Sequence, residues 1–124
     1  MGTMRRMVLG EARKPFTELR RGVAEYCVLA VLRDAESYAF DIVRVLAQAG
    51  GLVTSEGTIY PLLARLRRDN LVTTSWRESD AGPPRRYYRL TREGQAALQT
   101  FVADWTSFRD AVDAVLTGFN KGVA

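Results

Sequence analysis

The chain of 124 residues contains no histidine and only one cysteine, Cys27. Histidine is the commonest general base and a frequent metal ligand, so its absence removes most hydrolytic and zinc-dependent mechanisms. One cysteine cannot form an internal disulfide or a CxxC metal site, which fits a reducing compartment. We therefore expect no enzyme and no cofactor or metal, and we interpret Cys27 as a small core residue.

Long apolar runs are also missing. No segment reaches the ~18 consecutive apolar residues of a membrane-spanning helix. The N-terminus has no apolar core followed by a cleavage site, so it does not resemble a secretory signal. The sequence therefore predicts a cytoplasmic protein without a membrane partner. Its hydrophobic fraction of 47% is ordinary for a globular domain that buries a core.

Charge is unevenly distributed along the chain. The net charge is +4, of which residues 1–92 contribute +6 and residues 93–124 contribute −2. Between residues 58 and 92, eight arginines stand against three acidic residues. Guanidinium groups make bidentate contacts with phosphate and guanine, so this cluster favours a nucleic-acid partner. The alternative is an edge strand that its charge protects from aggregation.

Apolar spacing predicts three helices, a β-hairpin and a long fourth helix. The predicted bounds are a first helix after Thr17, a second helix capped by Ser37 and ended by Gly50 and Gly51, a third helix capped by Thr54 or Ser55 and closed by Asp69, strands over 71–77 and 85–90 joined by a loop over 78–84, and a last helix capped by Thr91. This order predicts a mainly α fold with a small β-hairpin, a winged helix-turn-helix with a long C-terminal dimerisation helix. The corresponding divisions are a basic N-terminal arm (1–16), a winged-helix DNA-binding domain (17–91), the dimerisation helix (92–119) and a tail (120–124).

The third helix is the predicted recognition helix. Ser55, Thr58 and Tyr60 lie at its N-terminal end, which is the part that enters the major groove of DNA. Arg65 and Arg68 follow further along, where phosphate contact is expected. The alternative is that the hydroxyl groups only cap the helix and that the arginines form a solvated face.

The second strand of the hairpin carries the densest positive charge. Arg85 and Arg86 directly follow Gly82, Pro83 and Pro84, a position from which a wing contacts a phosphate strand or the minor groove. We interpret Trp76, on the first strand, as a packing residue of the hairpin. Stacking of Trp76 on a base is a weaker alternative.

The last helix carries an apolar stripe with steps of three and four residues. Its members are Leu98, Phe101, Trp105, Phe108, Val112, Val115 and Phe119. Burying each large aromatic contributes roughly 2–3 kcal/mol, and a domain this small has no second helical layer to cover them. The stripe therefore predicts a homodimer that binds palindromic DNA. Loose packing at Phe101, Trp105 and Phe108 would leave a pocket for a planar aromatic effector, and the alternative is a dimer core without a ligand.

Two motifs resemble the PadR family of bacterial transcriptional regulators. They are residues 55–66, which read SEGTIYPLLARL, and residues 82–94, which read GPPRRYYRLTREG. The resemblance covers residues 17–119, and the single short C-terminal helix resembles the smaller PadR subfamily. It implies a dimeric repressor that binds palindromic operators. Small aromatic or hydrophobic molecules release some members of the family from DNA.

The resemblance also implies roles for individual residues. By resemblance, Thr58 and Tyr60 are expected to face DNA, as are Arg85 and Arg86 of the wing. Tyr38 is expected to contact a phosphate. The family has Tyr-Gly-Tyr at the start of the second helix, where this chain has Tyr38, Ala39 and Phe40, so the second aromatic lacks a hydroxyl. A winged helix that binds protein and not DNA remains the alternative function, because the net charge is only +4.

Overall fold

The computed structural model describes residues 15–50 and 55–118. Its elements, in chain order, are α1 (Pro15–Asp34), β1 (Ser37–Tyr38), α2 (Ala39–Gln48), α3 (Glu56–Arg68), β2 (Val72–Ser79), β3 (Gly82–Leu90) and α4 (Arg92–Leu116). The predicted order of three helices, a hairpin and a long helix is confirmed. Residues 1–14 of the predicted arm, Thr54, Phe119 and the tail lie outside the described residues. No helix within the described ranges is long and apolar enough to cross a membrane.

The core lies between α1, α2, α3 and the sheet. Apolar residues recur every three or four positions on each helix, so one face of each is buried. The largest fully buried side chains are Val28, Leu29, Ile42, Ile59, Leu63, Leu66 and Val72. Cys27 packs against this cluster, as predicted, and burial raises the pKa of its thiol. Because the thiolate is the reactive form, Cys27 is a poor nucleophile.

The sheet has three antiparallel strands in the order β1-β3-β2. Val72 pairs with Leu90, and Trp76 pairs with Arg86. Side chains alternate across a strand, so Tyr88 and Leu90 point into the core while Arg89 stays exposed.

The structure corrects two predictions about helix starts. The first helix already includes Pro15, three residues before its predicted beginning after Thr17. Ser37 does not cap the second helix, because it belongs to β1 and its hydroxyl donates to the Ala35 carbonyl at 3.5 Å. The N-cap is Tyr38, whose side chain makes no capping hydrogen bond. Pairing of β1 with β3 keeps the backbone extended up to this point.

The hairpin is longer than predicted. Strand β3 begins at Gly82 and not at Arg85, so the connection to β2 is a tight turn at Asp80 and Ala81. Pro83 and Pro84 suggested a loop because proline donates no ladder hydrogen bond. Strand β1 pairs only with residues 87 and 88, so one edge of β3 has no partner strand at the prolines. Proline is accommodated at such an edge.

The end of α3 and the start of α4 meet in one hydrogen-bonded unit, the α3–α4 junction. Asn70 adopts a left-handed conformation with φ 62°, and the Leu71 N–H donates to the Leu66 carbonyl at 2.9 Å. These are the features of a Schellman helix end. The Thr91 hydroxyl donates to the Asn70 carbonyl at 2.7 Å and accepts from the Gly94 N–H at 2.9 Å. One side chain thus caps α4, as predicted, and ties it to α3.

Candidate nucleic-acid interface

The N-terminus of α3 is capped by Ser55. Its hydroxyl accepts from the Thr58 N–H at 3.3 Å and lies 3.1 Å from the Thr58 hydroxyl. Both residues are exposed, and Tyr60 is 50% exposed on the next part of the turn. A hydroxyl oxygen has more than one hydrogen-bonding position, so capping leaves capacity for an outward contact.

The arginines of α3 differ in their partners. The Arg65 Nε lies 2.8 Å from the Glu25 carboxylate, which belongs to α1. The Arg68 Nε lies 3.5 Å from the carboxylate of its neighbour Asp69, and both side chains are largely exposed. Arg65 is therefore held by a specific partner on another helix, whereas the contact of Arg68 is weak and solvated.

A cavity of about 450 Å³, here called the wing groove, lies between the hairpin and the helix-turn-helix. Its lining residues are Tyr38, Ala39, Tyr60, Trp76, Pro84, Arg85, Arg86 and Tyr88. The structure thus brings together four of the predicted site residues from β1, α3 and β3. The other four, Ser55, Thr58, Arg65 and Arg68, lie along α3 and do not line this groove.

The two wing arginines rest on aromatic rings. The guanidinium carbon of Arg85 lies 4.5 Å from the centre of the Tyr38 ring, and that of Arg86 lies 4.8 Å from the centre of the Trp76 ring. Among the side chains that the structure describes, no carboxylate forms an ion pair with either arginine. A guanidinium stacked on a ring keeps its in-plane N–H groups free for an anion.

Arg77 shows the contrast on the neighbouring strand. Its guanidinium carbon lies 4.5 Å from the centre of the Tyr87 ring, but the same group is paired with the Glu36 carboxylate. Its charge is therefore already matched within the fold. Stacking alone does not mark an arginine as available, and the absence of an acidic partner distinguishes Arg85 and Arg86 from Arg77.

The inner wall of the wing groove is also charged. Burial raises the pKa of the Tyr88 hydroxyl, while the positive charges of Arg86 and Arg67 oppose that rise. Arg67 of α3 thus contributes positive charge near the Tyr88 hydroxyl, which its position in the sequence did not indicate.

Trp76 contacts Arg86 on the facing strand of the hairpin, which agrees with its prediction as a hairpin packing residue. Trp76 is 63% exposed, although it lies on the same face of β2 as the buried Val72. The hairpin extends past the end of the core, so this face opens onto the wing groove. Its pairing with Arg86 would follow from the sequence only if the hairpin turn were known in advance.

The apolar stripe of α4 is buried at its start and exposed along most of its length. Leu98 lies in the core, and Phe101 stacks on Tyr26 of α1 with ring centres 4.0 Å apart. Beyond Phe101 the exposed fractions are 37% for Trp105, 61% for Phe108, 58% for Val115 and 77% for Leu116. The rings of Phe101, Trp105 and Phe108 follow one another with centres 6.0 and 6.3 Å apart. The described chain covers Phe101 in part but leaves Trp105 and Phe108 exposed.

Three helices packed on a small antiparallel sheet, with the β2–β3 hairpin beside α3, define a winged helix-turn-helix protein. The profile of the PadR-like family of transcriptional regulators matches residues 28–100. The chain belongs to this family, which is a family of transcriptional regulators and not of enzymes. The predicted family, fold class and long C-terminal helix are confirmed.

Individual relatives agree with this assignment. The crystal structure of a PadR family regulator from Eggerthella lenta is 33% identical with a TM-score of 0.75, and the match covers 90% of this chain and 98% of that one. A transcriptional regulator of Mycobacterium tuberculosis is 37% identical over 81 residues, 65% of this chain and 74% of the relative. Bacillus subtilis PadR in complex with operator DNA is 24% identical with a TM-score of 0.59, covering 64% of this chain and 46% of that chain, and shares the fold.

Proposed function

We propose that the protein is a dimeric, sequence-specific DNA-binding repressor that acts in the cytoplasm. One observation carries the proposal. Among the described residues, Arg85 and Arg86 form no ion pair with a carboxylate, and both line the wing groove together with Tyr60 of α3. Guanidinium groups bind phosphates through two parallel hydrogen bonds, and DNA presents phosphates along both strands. The structure of Bacillus subtilis PadR with operator DNA supports this use of the shared fold.

Each predicted site residue takes a place in this proposal. Ser55, Thr58 and Tyr60 meet base edges in the major groove, because they are exposed at the N-terminal end of α3. Tyr38 supports Arg85 and contacts a phosphate from the other side of the wing groove. The remaining predicted contacts are to the DNA backbone and come from Arg65 and Arg68. For Arg65 this contact requires an exchange of the Glu25 carboxylate for a phosphate.

Dimerisation is proposed through α4. The exposed stripe from Trp105 to Leu116 is too large and too regular to stay in water at no cost. A second copy of α4 offers a matching surface, since a two-fold interface pairs a patch with itself. Two winged-helix domains related by this two-fold symmetry bind the two half-sites of a palindromic operator.

Effector binding is proposed at the aromatic series of Phe101, Trp105 and Phe108. A planar aromatic compound that stacks on Trp105 between the two α4 helices should change tryptophan emission in a saturable way. The measurement is a fluorescence titration with a chemically diverse panel of planar compounds. Compounds that bind should also shift operator affinity. No change with any compound would favour the alternative of a dimer core without a ligand.

The DNA-binding proposal is tested by the double variant Arg85→Ala, Arg86→Ala. We expect at least about tenfold weaker binding to the operator. The slope of the logarithm of the binding constant against the logarithm of the salt concentration should become shallower by about two units, because two phosphate contacts are lost. The operator is first obtained by selecting bound fragments from random duplex DNA. Affinity is then measured by fluorescence anisotropy over a range of salt concentrations.

The matched control for this test is the double variant Arg33→Ala, Arg89→Ala. It removes the same charge from exposed positions outside the wing groove, so it should change affinity much less. Equal losses in the two double variants would contradict the wing assignment. If the wild-type protein binds neither a heparin column nor random-sequence DNA at low salt, the alternative function of a protein-interaction module is favoured.

A further inference from the structure

Trp76 lies on the hairpin and is not part of the buried core. It is 63% exposed at the outer part of β2, beyond the buried core. Its direct cross-strand partner is Arg86, whose guanidinium carbon lies 4.8 Å from the centre of the Trp76 ring. Tyr60 lines the same groove from α3. The exposed indole of the hairpin therefore lines the wing groove together with Tyr60 of α3.

The contact restricts Arg86 without using its hydrogen-bond donors. A free arginine side chain samples many rotamers, and fixing it on binding costs entropy. A ring beneath the guanidinium limits these rotamers before an anion arrives, and the attraction is through the ring face. The in-plane N–H groups remain available for bidentate contact with a phosphate. Tryptophan is the most effective platform of this kind.

We propose, on the basis of the proposed DNA-binding function, that Trp76 is a positioning residue of the DNA interface. Its ring holds Arg86 toward the wing groove so that the guanidinium meets one phosphate of the operator backbone. The Tyr38 ring provides a platform for Arg85 in the same way, from the opposite edge of β3. Trp76 acts through Arg86, so its contribution depends on that arginine.

The test compares Trp76→Leu with Trp76→Phe. Leucine keeps an apolar side chain but removes the aromatic ring, and we expect operator affinity to fall about three- to tenfold. Phenylalanine keeps a ring and should recover most of that loss. The unfolding midpoint should stay at the wild-type value in both variants, because the indole is largely exposed.

A double-mutant cycle separates positioning from a general effect on the wing. In an Arg86→Ala background, Trp76→Leu should change affinity less than twofold, since no guanidinium remains to be positioned. In an Arg89→Ala background, which removes the same charge further along β3, Trp76→Leu should keep its full effect. Affinities are measured on one operator at one salt concentration.

Several outcomes would overturn the inference. Additive losses of Trp76→Leu and Arg86→Ala would show that the indole acts independently. Equal losses for leucine and phenylalanine would show that no ring is needed, and a lower unfolding midpoint would show a structural role. If Arg86→Ala weakens binding but Trp76→Leu does not, this inference fails while the DNA-binding function stands. A wild-type protein that binds no duplex DNA would overturn both.

Discussion

The variant Phe108→Asp is expected to behave in solution as a single protomer and to bind the operator at least about a hundredfold more weakly than the wild type. Phe108 is 61% exposed and lies in the middle of the apolar stripe of α4. A carboxylate there would be buried without a partner in a two-fold interface, twice over, which is strongly unfavourable. Losing the second winged-helix domain removes the high effective concentration that a dimer provides at two half-sites.

The measurements for Phe108→Asp are sedimentation equilibrium and an operator titration. Ala103→Asp is the matched control, because it places the same charge at an exposed position on the opposite side of α4. It should remain a dimer with nearly normal affinity. The winged-helix core should keep its helical circular dichroism in both variants, since neither residue belongs to the core. A Phe108→Asp protein with the mass of a dimer would show that the stripe is not the interface.

Gly94→Ala is expected to lower the free energy of unfolding by about 3 kcal/mol or more. A Cβ atom at this position would lie 2.1 Å from the Leu71 carbonyl oxygen and 3.0 Å from the Leu90 side chain. The Leu71 carbonyl cannot move freely, because it accepts the Thr91 N–H at 3.1 Å within the α3–α4 junction. The clash therefore falls on backbone, and relief requires α4 to shift away from the sheet.

The control for Gly94→Ala is Gly22→Ala. Gly22 also lies within a helix, but apart from its chain neighbours and the backbone of its own helix, no atom of the described residues lies within 4 Å of where its Cβ would be. Alanine there should raise the free energy of unfolding by about 0.5–1 kcal/mol through helix propensity. Both variants are measured by denaturant unfolding at one fixed protein concentration. A Gly94→Ala protein as stable as the wild type would contradict the described packing of α4 on the sheet.

The sequence was most informative where a signal is local. The steps of three and four residues along α4, the Ser55 cap and the Thr91 cap each depend on neighbours within one or two turns, and the structure has all three. The alternation of Tyr88 and Leu90 equally predicts their buried face, because period two needs no knowledge of the partner strand.

Features that depend on distant pairing were not predictable. Strand β1 has only two residues and exists because it pairs with β3, about 50 residues later. The Glu25–Arg65 pair spans 40 positions, so Arg65 looked freely available in the sequence. The same applies to Trp76 and Arg86, whose contact depends on the hairpin register. In each case the structural role of the residue depends on a segment that is distant in the sequence, so the local pattern alone does not indicate it.

The α3–α4 junction couples the orientation of α4 to that of α3, the proposed recognition helix. The hydrogen bonds of Thr91 tie the start of α4 to the end of α3, so the two helices turn together. Helix α4 has 25 residues and a length of about 37 Å. If α4 rotates by about 10° around its C-terminal end, its N-terminal end and the attached α3 move by roughly 6 Å. That is more than the distance between adjacent base pairs. In the proposed dimer, a small change in the crossing angle between the two α4 helices would therefore move both winged-helix domains out of register with the helical repeat of DNA.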